Sequence, residues 1–254
     1  MSKASQSLLV FCLLLPLACS DSSTPLVDGA IDTGSTLDTK KPLPSGLIAR
    51  WTFDEGSGLT ANDAVGTNHG TLENGPTWTA GKSGQAILFD GVDDVVNIPD
   101  AAVFDFGSGD FSISAWFKTA SAKDQHVVNF RQSDNEPHIE LYTCPTPFGY
   151  LGTHIVPGDV RISYDTTQVD DDTWHHAAVV LENGVTDGYK LYLDGALVGQ
   201  STYSGDLQDW DTIHIGDMDA GSRAFDGAID EVMVFDRALS DQEIQQTYEH
   251  TAGK

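Results

Sequence analysis

The stretch FDGAIDEVMVFDRALSDQEI, residues 225–244, joins a strand-like run to a helix-like tail. Its run AIDEVMVF is rich in β-branched and aromatic residues, which favour strands. In the tail, Ser240 precedes Glu243 by three positions, which is the spacing of a capping box at the start of a helix. Asp230 and Glu231 interrupt the apolar run with two adjacent carboxylates. The stretch predicts a core strand followed by a short C-terminal helix, and it leaves the role of the two acids as the main question.

Similar strand-like runs recur at short intervals from residue 47 onward, separated by Gly, Asp and Asn, which favour turns. The runs are LIARWTF (47–53), AILF (86–89), DVVNI (94–98), FSISAWF (111–117), HVVNF (126–130), PHIELY (137–142), VRISY (160–164), HHAAVVL (175–181), YKLYLD (189–194), TIHI (212–215) and AIDEVMVF (228–235). The pair Asp194-Gly195 predicts a hairpin, because such a tight turn needs positive φ. The pattern predicts an all-β protein, a two-sheet antiparallel jelly-roll β-sandwich with one short C-terminal helix.

Residues 1–18 have the pattern of a secretory signal peptide. Lys3 precedes an apolar run over 8–17, which is too short to span a bilayer of about 30 Å as a conventional helix. The small residue before Cys19 resembles the lipobox of bacterial lipoproteins, in which the cysteine is lipidated after cleavage. Pro16 departs from the aliphatic residue usual in that box, so plain secretion and a cytosolic protein stay as alternatives.

Residues 19–45 are rich in Ser, Thr, Asp, Gly and Pro and poor in aromatic residues. Such a composition buries too little apolar surface to offset the entropy of ordering, so we predict a disordered tether. The tether would connect a lipidated Cys19 to one folded domain over residues 46–254. Together with Ser20 after the cysteine, this predicts an exported lipoprotein, anchored in the outer membrane or on the cell surface.

The chain is strongly acidic, with 13 Lys and Arg against 38 Asp and Glu and a formal net charge of −25. A field of that sign repels nucleic acid and anionic lipid and attracts divalent cations. We therefore expect no nucleic-acid partner, and contact with a membrane only through the lipid anchor. An ordinary acidic surface, common in secreted proteins, is the simpler interpretation of the same charge.

Seven motifs follow one another through the folded part of the chain, from residue 47 to about residue 248. They are ARWTFDEGSG (49–58), GQAILFDGVDDVVNIP (84–99), FSISAWFKT (111–119), WHHAAVV (174–180), YKLYLDGALVG (189–199), IHIGD (213–217) and FDGAIDEVMVFDRALSDQEI (225–244). In this order they resemble laminin-G-like, concanavalin A-like jelly-roll domains of bacterial surface proteins. The resemblance implies the fold and leaves the function open, because this scaffold hosts sugar binders, adhesion modules and glucanases.

The resemblance also implies a structural calcium ion near the chain ends of the domain, with Asp54, Asp63 and Asp230 as ligands. A carboxylate on a buried strand needs backbone donors, a basic partner or a cation. Calcium takes six to eight oxygens, including carbonyls of irregular loops such as WTFDEGSG and ANDAVGTNHG. The alternative is that Asp54 and Asp63 cap turns through backbone amides. Both interpretations stay open.

Glycanases of this superfamily carry acids at alternating strand positions, in the pattern Glu-x-Asp-x-Glu. The corresponding positions here are Ala228, Asp230 and Val232, so both flanking acids are absent. Strict alternation places Glu231 on the opposite face, together with Met233. The two adjacent acids then cannot converge on one glycosidic bond, unless the strand carries a bulge.

Polar side chains alternate with apolar ones on several strands between residues 126 and 164. The candidate ligand-binding residues are Asn129, Arg131, His138, Glu140, Tyr142 and Arg161. A sheet face of this kind suits sugars, whose hydroxyls need planar polar groups and whose CH faces stack on aromatic rings. The alternative is an ordinary solvated face of an antiparallel sheet. We expect the loop TCPTPFGYLGTH (143–154) to form one wall of the groove.

The sequence thus predicts a surface-anchored, non-catalytic module that binds a glycan or glycoconjugate and holds structural Ca²⁺. One alternative is a glycan-cleaving enzyme that uses Glu140 with His138. Another is an envelope module with a structural or protein-interaction role. No nucleophile elbow, phosphate-cradling glycine loop or HExxH motif is present in the sequence.

Overall fold

The computed structural model describes residues 41–99, 102–131, 138–144, 150–207, 210–217 and 223–252. The predicted signal peptide, Cys19 and the tether up to residue 40 lie outside these residues. No helix in the described part of the chain is both long enough and apolar enough to cross a bilayer.

The described residues form sixteen strands and one α-helix. The strands are β1 (Leu47–Trp51), β2 (Thr60–Ala61), β3 (Gly70–Glu73), β4 (Thr77–Ala80), β5 (Gln85–Asp90), β6 (Val95–Pro99), β7 (Phe111–Lys118), β8 (Gln125–Arg131), β9 (His138–Cys144), β10 (Tyr150–Val156), β11 (Val160–Tyr164), β12 (His175–Leu181), β13 (Tyr189–Leu193), β14 (Ala196–Ser201), β15 (Thr212–Ile215) and β16 (Asp226–Phe235). A 3₁₀ turn spans Ala102–Phe104, and the helix α1 spans Asp241–Ala252.

The strands build two antiparallel sheets. The first sheet has the order β14-β13-β12-β7-β16-β5-β4, and β1 also pairs with β16. The second sheet has the order β11-β10-β9-β8-β15-β6-β3-β2. The predicted two-sheet jelly-roll sandwich with a C-terminal helix is confirmed, and each predicted strand run overlaps one of these strands.

The core lies between the two sheets and is filled by the inward side chains of both. Aromatic rings extend through it: Trp51 lies 6.3 Å from Phe104, and Phe130 lies 6.1 Å from both Phe104 and Trp210. Because these inward residues are apolar, the polar residues that alternate with them on the second sheet point to its outer face.

Helix α1 covers the outer face of the first sheet. Ile244 packs there in a second apolar cluster with Met233 and Phe235. The predicted capping box is confirmed: the amide of Glu243 donates to Ser240 Oγ at 3.3 Å, and the amide of Ser240 donates to Glu243 Oε2 at 3.0 Å. The central strands of the first sheet, β7, β12 and β16, are thus buried on both faces.

Residues 41–45, which the sequence assigns to the end of the tether, contact this helix. Leu43 packs against the second apolar cluster. His250 Nδ1 lies 2.8 Å from the carbonyl oxygen of Lys41, and Arg237 Nε donates to the carbonyl of Ser45 at 2.9 Å. The polar composition of the segment conceals this contact, because one apolar side chain and the backbone carbonyls make it.

A bulge in β16 explains the Asp230-Glu231 pair. Glu231 has φ of 51°, and the register between β16 and β7 shifts between Asp230 and Met233. The extra residue inverts the alternation, so that Ile229 and Val232 both face the core while Met233 faces α1. The strict alternation predicted for this strand is therefore wrong, because Ile229 and Met233, four positions apart, lie on opposite faces.

Several strands were not predicted from the sequence. β2, β3 and β4 are short and rich in threonine and glycine, so they lack an apolar run. The prediction of one loop over residues 143–154 is wrong at its end, because Tyr150–Val156 forms β10 and pairs with β9 and β11. Residues 145–149 of that segment lie outside the described residues.

Candidate functional site

A row of polar residues crosses the outer face of the second sheet, each residue directly opposite the next on the neighbouring strand. In order from β11 to β6 they are Arg161, His154, Glu140, Asn129, His214 and Asn97. Directly opposed residues project on the same side of a sheet, with their Cβ atoms about 5 Å apart. The register therefore gathers three of the predicted ligand-binding residues, Asn129, Glu140 and Arg161, into one row.

A cavity of about 160 Å³ opens at one end of this row. Its lining residues are His138, Glu140, His154, Arg161 and Arg223. Three of them were predicted from the alternation of β9 and β11. His154 was hidden in the predicted loop, and Arg223 comes from the segment just before β16.

Glu140 is buried at the base of the cavity, with 3% of its surface exposed. Oε1 lies 3.3 Å from His138 Nε2, and Oε2 lies 3.5 Å from His126 Nε2 and 3.6 Å from His154 Nδ1. Burial alone would raise the pKa of Glu140, but the surrounding imidazoles outweigh it and hold the pKa well below its usual range. Glu140 is consequently a carboxylate, not a carboxylic acid, at neutral pH.

His154 connects Glu140 to the surface. Its Nδ1 points toward the cavity, 3.3 Å from His138 Nε2, and its Nε2 lies 2.9 Å from Asp159 Oδ1. Arg161 Nε donates to the same Asp159 oxygen at 3.0 Å. These contacts hold the pKa of Asp159 below its ordinary value, mainly through the hydrogen bond from Arg161 and then that from His154. The exposed carboxylate of Asp159 thus fixes the orientation of both cavity residues.

Two buried side chains on this face have polar atoms without hydrogen-bond partners. Asn129 is fully buried, and both its Oδ1 and its Nδ2 are unpartnered. His126 is also fully buried, and its Nδ1 is unpartnered. An unmade hydrogen bond of a buried polar group costs about 1–3 kcal/mol, so these atoms are available to a water molecule or a polar ligand.

The place of His126 on this face is not visible in the sequence pattern, because β8 carries a bulge. The register with β9 shifts between His126 and Val128, and both Val127 and Val128 belong to the core. This places His126 on the same outer face as Asn129, although the two residues are three positions apart. Without the bulge, strict alternation would place His126 and Asn129 on opposite faces of the sheet.

The remaining predicted residues lie beside the cavity. Arg131 pairs with His138 across β8 and β9 and is 7% exposed. The ring of Tyr142 lies over Gly152, where an added Cβ would come within 2.5 Å of it. With 8% of its surface exposed, Tyr142 offers little area for stacking a sugar. At these residues the predicted groove is a cavity of about 160 Å³, and most of the polar side chains around it are buried.

The three predicted calcium ligands do not gather at one point among the described residues. Asp63 accepts four hydrogen bonds: from the amides of Arg50, Val65 and Asn68, and from the Asn68 side chain. Burial favours a higher pKa for Asp63, but these donors outweigh it and lower the pKa. The contacts of Asp63 are those of a turn cap, which was the alternative interpretation.

Asp230 and Asp54 both bind the turn between β4 and β5. Asp230 Oδ2 accepts the amide of Ser83 at 2.9 Å, and Asp54 Oδ1 accepts the amide of Gln85 at 3.0 Å. The other oxygen of Asp230, Oδ1, is buried and unpartnered. Burial, with a smaller contribution from Glu231, raises the pKa of Asp230 to about 7. This site can accept a cation at Asp230 Oδ1.

Glu231 is not available to the same site. Its carboxylate is fully buried and receives two parallel hydrogen bonds from Arg50, at 2.8 Å and 2.9 Å. The charge of Glu231 is therefore neutralised within the first sheet. The pair of acids in AIDEVMVF has separate structural partners, and neither lines the cavity on the second sheet.

Comparison with known proteins agrees with this architecture. A family model described as the concanavalin A-like lectin/glucanases superfamily matches residues 90–245, more than half of the chain. Adhesion G-protein coupled receptor V1 of Danio rerio is 24% identical over 157 residues, which are 56% of this chain. The match spans 2% of the length of that receptor.

Several solved structures have the same fold at low sequence identity. Domain 4 of AbnA, an extracellular arabinanase of Geobacillus stearothermophilus in complex with arabinotriose, has a TM-score of 0.61 and 20% identity. The match covers 80% of this chain and 98% of that one. The binding domain of Paraclostridial Mosquitocidal Protein 1 has a TM-score of 0.65 and 15% identity, over 80% and 52% of the two chains. Trypanosoma rangeli sialidase in complex with sialic acid has a TM-score of 0.64 and 13% identity, over 83% and 34%.

Proposed function

The chain belongs to the concanavalin A-like lectin/glucanase superfamily, and we propose that it is a non-catalytic module that binds a glycan or glycoconjugate. The observation that carries the proposal is the cavity on the second sheet, which is lined by planar polar side chains. The buried amide of Asn129 beside it, with both polar atoms unpartnered, supports a polar ligand at this face.

The chemistry of the cavity suits sugar hydroxyls. A hydroxyl both donates and accepts, so it can accept from a guanidinium and donate to a carboxylate at the same time. Arg161 and Arg223 supply donors at the rim, and Glu140 supplies an acceptor at the base. Domain 4 of AbnA, which this chain matches over 98% of its length, was solved with arabinotriose, which supports a ligand of this class.

The arrangement argues against glycoside hydrolysis. Hydrolysis uses two carboxyl groups about 5–10 Å apart, one of them protonated as a general acid. Among the described residues that line the cavity, Glu140 supplies the one carboxylate. Its low pKa keeps it ionised, so it cannot act as that acid at neutral pH.

Calcium belongs to the proposal as a structural ion, at Asp230 and Asp54 rather than at the cavity. The buried, unpartnered Asp230 Oδ1 fits a cation, and the adjacent turn, residues 81–84, offers backbone carbonyls. Bound calcium would keep Asp230 ionised and join the turn to β16. Asp63 is left out of this site, because its oxygens already accept four hydrogen bonds.

We also propose the localisation predicted from the sequence. The protein would be an exported lipoprotein, anchored through Cys19 in the outer membrane or at the cell surface. The ligand would then be a glycan in the envelope or outside the cell. The net charge of −25 supports a partner other than nucleic acid.

A glycan array with the purified protein tests the proposal. Arg161→Ala and Asn129→Ala should each lower binding by tenfold or more. Lys118→Ala is the matched control, because it removes a half-exposed cation from the first sheet and should bind as the wild type does. Binding that is equal in all four proteins would place the ligand elsewhere. Release of reducing ends from a bound polysaccharide, abolished by Glu140→Gln, would instead establish the enzyme alternative.

A further inference from the structure

Three side chains at the base of the cavity direct metal-binding atoms at one point. His138 Nε2 lies 3.3 Å from His154 Nδ1 and 3.3 Å from Glu140 Oε1, and His154 Nδ1 lies 3.6 Å from Glu140 Oε2. All three residues are buried. We propose that His138, Glu140 and His154 form a binding site for a first-row divalent transition metal such as Zn²⁺, a property that goes beyond sugar binding and does not depend on it.

The spacing of the two imidazole nitrogens and the Glu140 carboxylate is that of ligands around one ion. Zinc binds imidazole nitrogen and carboxylate oxygen at about 2.0–2.2 Å, which for tetrahedral angles separates the ligand atoms by about 3.3–3.5 Å. The two imidazole nitrogens are 3.3 Å apart, and Glu140 approaches each of them with a different oxygen, Oε1 at 3.3 Å from His138 Nε2 and Oε2 at 3.6 Å from His154 Nδ1, so all three separations lie close to this range. Adjacent antiparallel strands, β9 and β10, hold the three residues, so the geometry is set by the sheet itself.

The tautomer of His154 favours a cation at this point. Its Nε2 faces the carboxylate of Asp159 at 2.9 Å and therefore carries a proton. In neutral imidazole the other nitrogen, Nδ1, then has a lone pair, which points at the carboxylate of Glu140 and at His138 Nε2. A metal-bound imidazole usually donates its other N–H to a carboxylate, and His154 Nε2 has such a partner in Asp159.

The surroundings supply what a bound ion needs beyond three ligands. Asn129, directly opposite Glu140 on β8, is fully buried with both amide atoms unpartnered. It can bond a water molecule held by the metal, or offer Oδ1 as a further ligand. Arg223 Nη1, 3.8 Å from Glu140 Oε2, is a competing cation, but its side chain is 41% exposed and also pairs with Asp124.

The ligand set distinguishes this site from the calcium site at Asp230. Two imidazoles and one carboxylate suit zinc, cobalt, nickel or iron, whereas calcium prefers oxygen ligands alone. The two sites also lie on different sheets, β9 and β10 in the second and β16 in the first. Each can therefore be removed by mutation without touching the ligands of the other.

Isothermal titration of the chelator-treated, dialysed protein with Zn²⁺, and visible spectra after addition of Co²⁺, test the site. We expect one tight site per chain and the ligand-field bands of Co²⁺ in a low-symmetry nitrogen and oxygen environment. His154→Ala and Glu140→Gln should each weaken binding by a hundredfold or more. Asp159→Asn should keep the site and weaken it by about tenfold to a hundredfold, as partners of metal-bound histidines do.

Two control variants separate this site from general affinity of an acidic protein. Asp93→Asn alters the exposed cluster of Asp90, Asp93 and Asp94, and His250→Gln removes a histidine at the end of α1. Both should bind Zn²⁺ as the wild type does. Absence of stoichiometric binding, or binding of equal strength in Glu140→Gln, Asp159→Asn and wild type, would overturn the proposal. Glu140→Gln and Asp159→Asn decide the matter even if His154→Ala does not fold.

The glycan array, run with and without chelator, keeps the two proposals apart. Zinc binding without any glycan signal would leave the metal site standing and remove the proposed ligand. A glycan signal that is unchanged by chelator, together with no zinc binding in the titration, would support the glycan proposal and overturn the metal site.

Discussion

Arg50 and Glu231 meet across β1 and β16 in a two-point ion pair: Arg50 Nε donates to Oε2 at 2.8 Å, and Nη2 donates to Oε1 at 2.9 Å. The Glu231 side chain is fully buried and that of Arg50 is 15% exposed. Because the pair lies at the bulge, it joins the first strand of the domain to the last one.

Arg50→Ala should destabilise the protein by about 3–5 kcal/mol, because it leaves a buried carboxylate without its partner. The double variant Arg50→Met with Glu231→Leu should recover much of that loss, since no charge then remains unpaired. Urea unfolding of the wild type, the single variant and the double variant measures the difference. Equal stability of the two variants would mean that the charge pair has no energetic coupling.

Asp230→Asn should abolish a calcium-dependent rise in melting temperature. An ion that binds only the folded state, at 100 times its Kd, adds about 2.7 kcal/mol, which amounts to several degrees. Thermal unfolding in EDTA and in millimolar Ca²⁺ measures the shift, with Asp93→Asn as a matched loss of one acid. A shift that survives in Asp230→Asn would place the calcium elsewhere.

The same variant should change the pH dependence of stability in EDTA. Burial raises the folded-state pKa of Asp230 to about 7, whereas an unfolded aspartate has a pKa of about 3.9. Without metal, the contribution of Asp230 to the free energy of unfolding is therefore fully present below about pH 4. It is lost as the pH rises through the folded-state pKa of about 7. Asp230→Asn should flatten that decline. An unchanged slope in denaturant unfolding between pH 4 and 7 would contradict the assignment.

His175 should contribute stability at the acidic side of neutrality. Its Nδ1 lies 2.9 Å from Asp194 Oδ2, and this hydrogen bond, against the effect of burial, raises the pKa of His175 above 6.5. The contribution is full below pH 6.5 and is lost as the pH rises through the folded-state pKa. His175→Gln should remove this pH dependence, whereas His250→Gln should keep it, as measured by thermal unfolding from pH 5.5 to 8.5.

Trp116 and Thr251 should fix α1 on the first sheet. The buried indole Nε1 donates to Thr251 Oγ1 at 2.6 Å, and the ring stacks on Tyr248 with centroids 5.4 Å apart. Thr251→Val leaves the indole donor unpartnered and should cost about 1–3 kcal/mol. Thr247→Val is the matched control, because its hydroxyl bonds only the helix backbone at Glu243, and it should cost less.

The fold was largely predictable because its signals are local. Alternation of apolar and polar residues marked the longer strands, and Asp194 and Gly195 both have the positive φ that the hairpin turn requires. The capping box of Ser240 and Glu243 needs no information beyond four consecutive residues.

The candidate site was predictable only in part, because two bulges and one concealed strand determine it. The bulges at Val127 and at Glu231 each change the face to which the following side chains point. No residue in HVVNF or AIDEVMVF indicates a bulge. His154 was missed because the glycine in YLGTHIV weakens the strand signal, although Gly152 is required there by the close approach of the Tyr142 ring. The burial of Asn129 and Glu140 on an outer face depends on tertiary packing, which alternation does not encode.

The two ends of the described domain lie side by side: the amide of Asp236 donates to the carbonyl of Gly46, and His250 approaches Lys41. Both ends leave from the layer that carries α1, whereas the polar cavity opens on the opposite layer. Such a domain can be spliced into a loop of another protein, or repeated in series, with little disturbance of the host. In either arrangement the layer that carries the polar cavity is the one farther from both points of attachment.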